Sequence, residues 1–161
     1  MPTSSLVMFE EEFKQITAII DRLLKEANAK LVFLVDKDGQ LIASSGETRD
    51  VDTTSLASLT AGNIAATGGL AKLIGEKEFS ILFHEGEKDN LHISIVGQRV
   101  ILVVIFDQRS SLGLVRLRVK KASEELNTII QKLLHRVEAK PSAQENLLAE
   151  ISDNDIDKLF H

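Results

Sequence analysis

The sequence predicts a single α+β domain in which three helices cover a five-stranded antiparallel sheet. Three observations predict it. Apolar residues recur every three or four positions in three segments, five short segments have strand character, and the strands come as a pair followed by a group of three. Helices separated by antiparallel strands pack against the sheet that they flank. At 161 residues the chain has room for one such domain, which we place at residues 8–139.

The first helix is predicted from Phe9 to Ala27. Three glutamates, Glu10 to Glu12, stand at its start, where the positive end of the helix dipole favours negative charge. Its apolar residues form one stripe at intervals of three and four, namely Phe9, Phe13, Ile16, Ile20, Leu23, Leu24 and Ala27.

A hairpin follows the first helix. Its strands are predicted at Leu31 to Asp36 and at Gln40 to Ser45, with Asp38 and Gly39 in the turn. Asp-Gly between two apolar runs is a strong hairpin signal, because glycine supplies the positive φ that the turn needs.

The second helix is predicted from a cap at Asp52 or Thr53 to about Ile74, with Gly75 as its C-terminal stop. Its composition is unusual, since three glycines lie among alanines in its interior. Each glycine costs a helix about 1 kcal/mol relative to alanine. The glycines therefore need a reason beyond helix formation.

Three strands and a long helix complete the domain. The strands are predicted at Phe79 to His84, Leu91 to Val96 and Val100 to Phe106. The second alternates, which indicates one buried and one polar face, whereas the third is apolar throughout and should be covered on both sides. The last helix is predicted from Ser111 or Leu112 to about Ala139, and Pro141 ends it.

The small residues of the second helix are the best candidate for a functional surface. Small side chains let another backbone approach closely, but in water they bury too little area for an ordinary core. We therefore expect a flat contact surface, while the larger residues Leu56, Leu59, Leu70, Leu73 and Ile74 anchor the helix to its sheet. Tight packing of the helix on its own sheet is the alternative. The predicted partner-binding residues are Ala57, Ala61, Ala65, Gly68, Gly69 and Lys72.

The residues give no sign of an active site. The histidines, His84, His92, His135 and His161, have no partner at metal-ligand spacing, and the chain has no cysteine. The glycines of the second helix lack the Lys-Ser/Thr ending of a phosphate loop, and no nucleophile elbow occurs. The alternating aspartates from Asp153 to Asp157 lack the glycine and glutamate of a calcium loop. We expect no catalytic residue, cofactor or metal.

Charge and hydropathy limit the partners. A net charge of −5 argues against nucleic acid, because binding phosphates needs a basic surface. No signal sequence or membrane-length apolar run is found, so we expect a cytoplasmic protein without membrane insertion. A basic cluster in the last helix is either a solvated face or a contact for an acidic patch on a partner. It consists of Arg116, Arg118, Lys120 and Lys121.

The order of elements resembles that of the roadblock/LC7 family, an α/β sandwich. Three runs carry the resemblance. Phe33 to Ile42 looks like the family's first hairpin, Asp52 to Asn63 is similar to its second helix, and Ser110 to Arg116 is similar to the start of its last helix. The hairpin alone is weakly specific, whereas the three runs together are strong. The likeness is greatest to members that regulate bacterial gliding motility, and it extends to the run from Glu150 to Asp153.

This resemblance implies a homodimer in which two five-stranded sheets join edge to edge and the second helices lie side by side. It also implies a GTPase-activating partner of a Ras-like GTPase of the MglA type, with a role in cell polarity and gliding motility. Regulators of this kind are found in the cytoplasm and at a cell pole. They insert no arginine finger, and we expect none from Arg49, Arg99 or Arg109. A dimeric adaptor that leaves hydrolysis unchanged, similar to the dynein-associated roadblock chains, is the alternative.

The last segment, residues 140–161, is predicted as a flexible tail with a short amphipathic helix. Ser152 can cap this helix, which places apolar residues on one face among five acidic residues. We expect the tail to dock on the GTPase or on another regulator through Ile151, Ile156, Leu159 and Phe160. A frayed terminus is the alternative, since a helix this short is marginal in water.

Overall fold

The computed structural model describes residues 10–139, with side chains as far as residue 135. Helices cover both faces of one five-stranded antiparallel sheet, as the sequence predicts. In chain order the elements are α1 (Glu10–Glu26), β1 (Leu31–Asp36), β2 (Leu41–Gly46), α2 (Thr53–Leu73), β3 (Ile81–Glu85), β4 (Asn90–Val96), β5 (Val100–Phe106) and α3 (Leu112–Ala139). The strand predictions for β1 and β5 are confirmed, and β3 begins two residues later than predicted.

The strands lie in the order β2-β1-β5-β4-β3, so β5 is the central strand, and every neighbouring pair is antiparallel. The first hairpin turns where the sequence predicts. Gly39 has a φ of +94°, and the Asp36 carboxylate accepts hydrogen bonds from the backbone N–H groups of Asp38 and Gln40 at 2.9 and 3.0 Å. The carboxylate therefore holds the turn closed from inside.

The sheet separates two apolar clusters. On one face α1 and α3 pack together over residues such as Val32, Leu102 and Val104. On the other face α2 covers Leu31, Phe33 and the alternate residues of β4 and β5. Because side chains alternate along a strand, a sheet buried on both faces needs apolar residues at every position of its central strands. The uninterrupted apolar run of β5 follows from this.

α1 and α3 lie antiparallel beside each other. Arg22 pairs with Glu125, and Glu26 pairs with Arg118 at 3.6 Å. The pairs join residues late in α1 to residues early in α3, so the C-terminal end of α3 lies near the start of α1. Ser111 caps α3, since its Oγ accepts a hydrogen bond from the Leu114 N–H at 3.2 Å.

The sequence predicts one buried face and one polar face for β4. The structure differs, because the polar face is also covered. His92 and Ser94 are buried, and neither the His92 ring nitrogens nor the Ser94 hydroxyl has a hydrogen-bond partner from another residue in the described part of the chain. Burial lowers the pKa of His92 from its ordinary value of 6.5, and the nearby positive charge of Arg116 acts in the same direction. Both effects favour the neutral form of the His92 ring in the folded protein.

We predict that His92→Leu stabilises the protein and flattens its response to acid. The unfolded chain takes up a proton at this position below about pH 6.5, which the folded chain resists, so the wild type loses stability as pH falls through that value. Leucine removes the unpartnered ring and should add about 1 kcal/mol at neutral pH. Urea unfolding between pH 7.5 and 5 is the measurement, and exposed His135→Gln is the control. Equal acid sensitivity in His92→Leu and wild type would contradict the account.

Candidate partner-binding surface

The candidate surface lies on α2, whose ends are fixed by local hydrogen bonds. Asp52 caps the start, since its carboxylate accepts from the Ser55 N–H at 3.1 Å and from the Ser55 hydroxyl at 2.7 Å. These hydrogen bonds lower the pKa of Asp52 below its ordinary value. At the other end Ile74 is the cap and Gly75 has a φ of +84°. Both ends agree with the sequence prediction.

The inner face of α2 is made mainly of small residues. Ala57 and Ala71 are fully buried, Thr60 is nearly so, and Ala61 and Ile64 pack on the cluster below. The Thr60 hydroxyl donates to the Leu56 carbonyl at 2.7 Å, which satisfies it within the helix. The turn between β1 and β2 approaches the helix closely, since a Cβ added at Gly39 would lie 3.3 Å from the Ser58 Cα.

Two sequence predictions are wrong here for one reason. Ala57 is 0% exposed, so it belongs to the core and to no partner surface. The leucines predicted as anchors point outward instead, since Leu59 is 72% exposed, Leu70 57%, Leu73 83% and Ile74 68%, while Leu56 alone of that set is partly buried. Ala57, Thr60 and Ala71 occupy the buried inner positions of α2, so most of its leucines lie on the outward side.

The outward residues of α2 fall into two neighbouring rows at helical spacing. The leucine row consists of Leu59, Asn63, Ala66, Leu70 and Leu73. The small-residue row consists of Ala65, Gly68, Gly69 and Lys72, with Gly62 between the two rows. Ala65, Gly69 and Lys72 are exposed and Gly68 is half-buried, whereas Ala61 packs on the cluster beneath the helix. Four of the six predicted residues thus lie on an accessible flank.

The glycines of α2 are open within the described part of the chain. A Cβ added at Gly62, Gly68 or Gly69 would meet no described neighbour within 4 Å. Packing among the described residues therefore does not explain these glycines, and their role in binding a partner stays a prediction. The leucine row beside them was missed in the sequence, because its large apolar residues were assumed to point toward the sheet.

The leucine row borders the free edge of the sheet. Asn63 lies in the row, and its side-chain nitrogen is 3.3 Å from the Nε2 of His84 on β3. Since β3 is an outermost strand, its outward backbone groups pair with no strand of the described residues. Ile81 at the start of β3 is 53% exposed. An edge strand with apolar exposure is a template for pairing with another chain.

The other residues singled out in the sequence lie outside the two rows of α2, although His84 contacts Asn63 from β3. Arg49 lines a cavity with Lys30 and Asp89, and the Asp107 carboxylate holds Arg109 at 3.0 Å. Of the basic cluster, Arg118 pairs with Glu26 on α1, while Arg116, Lys120 and Lys121 are exposed. His84 and His135 are exposed and His92 is buried, so these three do not meet.

Two findings hold for the described part of the chain alone, and the tail lies outside it. Among residues 10–139 no three side chains of the metal-ligating types come together, and no helix is both long and apolar enough to cross a membrane. The predicted tail residues Ile151, Ile156, Leu159 and Phe160, and His161, lie outside the described residues. The division at residue 140 stays a prediction.

The fold and this surface define the class of protein. The chain belongs to the Roadblock/LC7 domain family, whose model matches residues 16–106 and thus covers most of α1 and all the elements from β1 to β5.

Within that family the chain is similar to MglB proteins of known structure. It is 70% identical to Myxococcus xanthus MglB, over 76% of this chain and 92% of that chain, with a TM-score of 0.75. It is 34% identical to the gliding protein MglB from Thermus thermophilus, over 75% and 92%, with a TM-score of 0.72. An MglB with a tetrameric arrangement is 32% identical over 76% and 92%, again with a TM-score of 0.72. These likenesses support a regulator of the MglB type.

We predict that Gly68→Ala stabilises the isolated protein. Alanine favours the helix by about 1 kcal/mol over glycine, and the new methyl group meets no neighbour. Urea unfolding should show a gain of this size. Gly46→Ala is the matched control and should destabilise the protein, because Gly46 has a φ of +111° and an added Cβ would collide with the Lys30 carbonyl oxygen. A loss of stability in Gly68→Ala would mean that the flank is covered.

Proposed function

We propose that this protein is a homodimeric regulator that binds a Ras-like GTPase of the MglA type and accelerates its GTP hydrolysis. The observation that carries the proposal is the exposed face of α2, where two rows of apolar and small residues lie open beside a free sheet edge. Such a face is costly to leave in water, since each exposed leucine forgoes about 1.5–3 kcal/mol of burial. A partner molecule removes that cost.

The two rows suit two different contacts. The leucine row lies next to β3, so a second copy that pairs its own β3 along this edge brings the two leucine rows together. The two sheets then form one continuous sheet, and the α2 helices lie side by side. Gly62 and Ala66 allow close approach of the helices, while Leu59, Leu70 and Leu73 supply the buried area.

The small-residue row remains accessible in such a dimer and forms a shallow surface for the GTPase. Ala65, Gly68 and Gly69 present backbone and methyl groups, and Lys72 adds one positive charge at the end of the row. A shallow surface contacts a broad segment of a partner and does not reach into a pocket. We infer that it acts by holding the mobile switch region of the GTPase in its hydrolytic arrangement.

Acceleration of this kind needs no arginine from the regulator. Phosphoryl transfer depends mainly on positioning and on stabilisation of charge, so arranging the GTPase's own groups suffices. The geometry supports this route, because Arg109 is engaged by Asp107 and Arg49 lines a cavity with Lys30 and Asp89 ahead of the start of α2, outside the small-residue row. We propose further that the tail, through Ile151, Ile156, Leu159 and Phe160, adds a second contact to the GTPase.

The dimer is tested by Leu73→Glu. A carboxylate in the leucine row would be buried without a partner, so we expect the variant to run as a monomer in analytical ultracentrifugation while its circular dichroism spectrum is unchanged. Leu117→Glu is the matched control, because Leu117 is similarly exposed, at 62%, but lies on α3. A dimer that survives Leu73→Glu would exclude the leucine row as its interface.

The GTPase contact is tested by Gly69→Arg in single-turnover hydrolysis by the cognate GTPase. We expect wild-type protein to accelerate hydrolysis and Gly69→Arg or Ala65→Arg to lose the acceleration by blocking the approach. Gly113→Arg is the matched control, since Gly113 is also a helical glycine open to solvent but lies on α3. If wild-type protein binds the GTPase and leaves its hydrolysis unchanged, the adaptor alternative is correct.

A further inference from the structure

A groove between α1 and α3 is a second unfilled surface, on the face of the sheet opposite α2. It has a volume of about 420 Å³ and is lined by Gln15, Ala18, Ile19, Arg22, Glu125, Thr128 and Ile129. Ile19 and Ile129 form its floor, and Ala18 leaves its rim low. A neighbouring cavity of about 660 Å³ shares Thr128 and continues along α3 to His135. Together they make a path from the C-terminal part of α3 back to its middle.

We propose that this groove is the docking site for the C-terminal segment of the same chain, residues 147–161. The segment is held there when no other partner is bound. The inference goes beyond the proposed function, and none of its steps depends on the GTPase.

The first argument is reach. Ala139, the last residue of α3, is ten residues beyond Ile129, which corresponds to about 15 Å along the helix axis. The connecting residues 140–146 are polar apart from one alanine and Pro141. As a flexible chain these seven residues span about 15 Å, and fully extended they span about 25 Å. The connection is thus long enough to turn back and to deliver Leu147 and Leu148 to the groove.

The second argument is apolar content. Leu147, Leu148 and Ile151 come first after the connection and match the isoleucine floor. Suppose that the segment is helical, runs antiparallel to α3 and begins with Leu148 beside Ile129. At equal helical rise, residue 159 then lies level with about residue 118 of α3. Leu117 is 62% exposed at that level. Leu159 and Phe160 would therefore cover a leucine that the described part of the chain leaves open.

The third argument is charge. Residues 145–161 carry five carboxylates, Glu145, Glu150, Asp153, Asp155 and Asp157, against one lysine. The exposed rims of the groove and of its continuations carry Lys25 on α1 and Lys121 and Lys132 on α3, and none of these forms a salt bridge within residues 10–135. Of the acids along this path, Glu125 is paired with Arg22, Glu26 is paired with Arg118, and Glu12 is buried in the wall of the second cavity. The negative charge of residues 145–161 therefore complements the positive charge of these rims.

Disulfide trapping tests the proposal in the full chain. The protein has no cysteine, so Ala18→Cys with Leu148→Cys introduces one defined pair. Under mild oxidation at high dilution, without GTPase, we expect this pair to form an intramolecular disulfide rapidly. The matched control pairs Leu148→Cys with Ser58→Cys, an exposed position at α2 on the other face of the sheet. It should react severalfold more slowly.

Charge reversal supplies the second arm. Lys25→Glu with Lys121→Glu, both at exposed positions, should slow formation of the Ala18–Leu148 disulfide severalfold, and added salt should slow it in the unreversed chain. Equal rates for the two cysteine pairs, a disulfide between two chains at Ala18, or a rate indifferent to charge reversal would each overturn the proposal. None of these results bears on GTP hydrolysis, so the two proposals fail separately.

Discussion

The packing of α2 on its sheet through small residues is the constraint on which the rest of the structure depends. Ala57, Ala61 and Ala71 face inward and supply much of the contact with the strands. Leu59, Leu70 and Leu73 point outward, and the glycines line a flank that no described residue covers. A single domain that folds this way keeps an apolar surface open, which is the pattern of a protein that functions by contact with others.

The two faces of the sheet have different degrees of closure. On the α1–α3 face two helices share the cover, so large side chains such as Ile20, Leu102 and Leu126 fill the layer, and even the polar pair of His92 and Ser94 is sealed in. On the α2 face a single helix covers the sheet, mainly with small residues. The α1–α3 face therefore supplies most of the core, and the α2 face supplies the candidate partner-binding surface. This asymmetry explains why substitutions at the flank of α2 are expected to change binding more than folding.

Much of this was predictable from the sequence, and the limits were physical. Periodicity located all three helices, and Asp-Gly located the first turn, because these signals are local. The glycines of α2 predicted a contact surface, and the structure leaves them uncovered by any described residue. The direction of its leucines was not predictable, because residue size alone does not say which row of a helix faces the sheet. The burial of His92 was not predicted for a related reason. Alternation along β4 identifies two faces but does not show that α3 covers the polar face.

Pulsed electron paramagnetic resonance on a single spin label tests the central claim most directly, that the open face of α2 meets the same face of a second copy. Because the chain has no cysteine, Ala65→Cys places one label on each copy beside the leucine row, outside the contact between the helices. Two helices packed side by side lie about 8–10 Å apart, so the labels on their flanks should give a short, well-defined distance. A label at Gln108→Cys, in the loop before α3, should give a much longer one. No coupling at Ala65, or a distance as long as that at Gln108, would contradict the account.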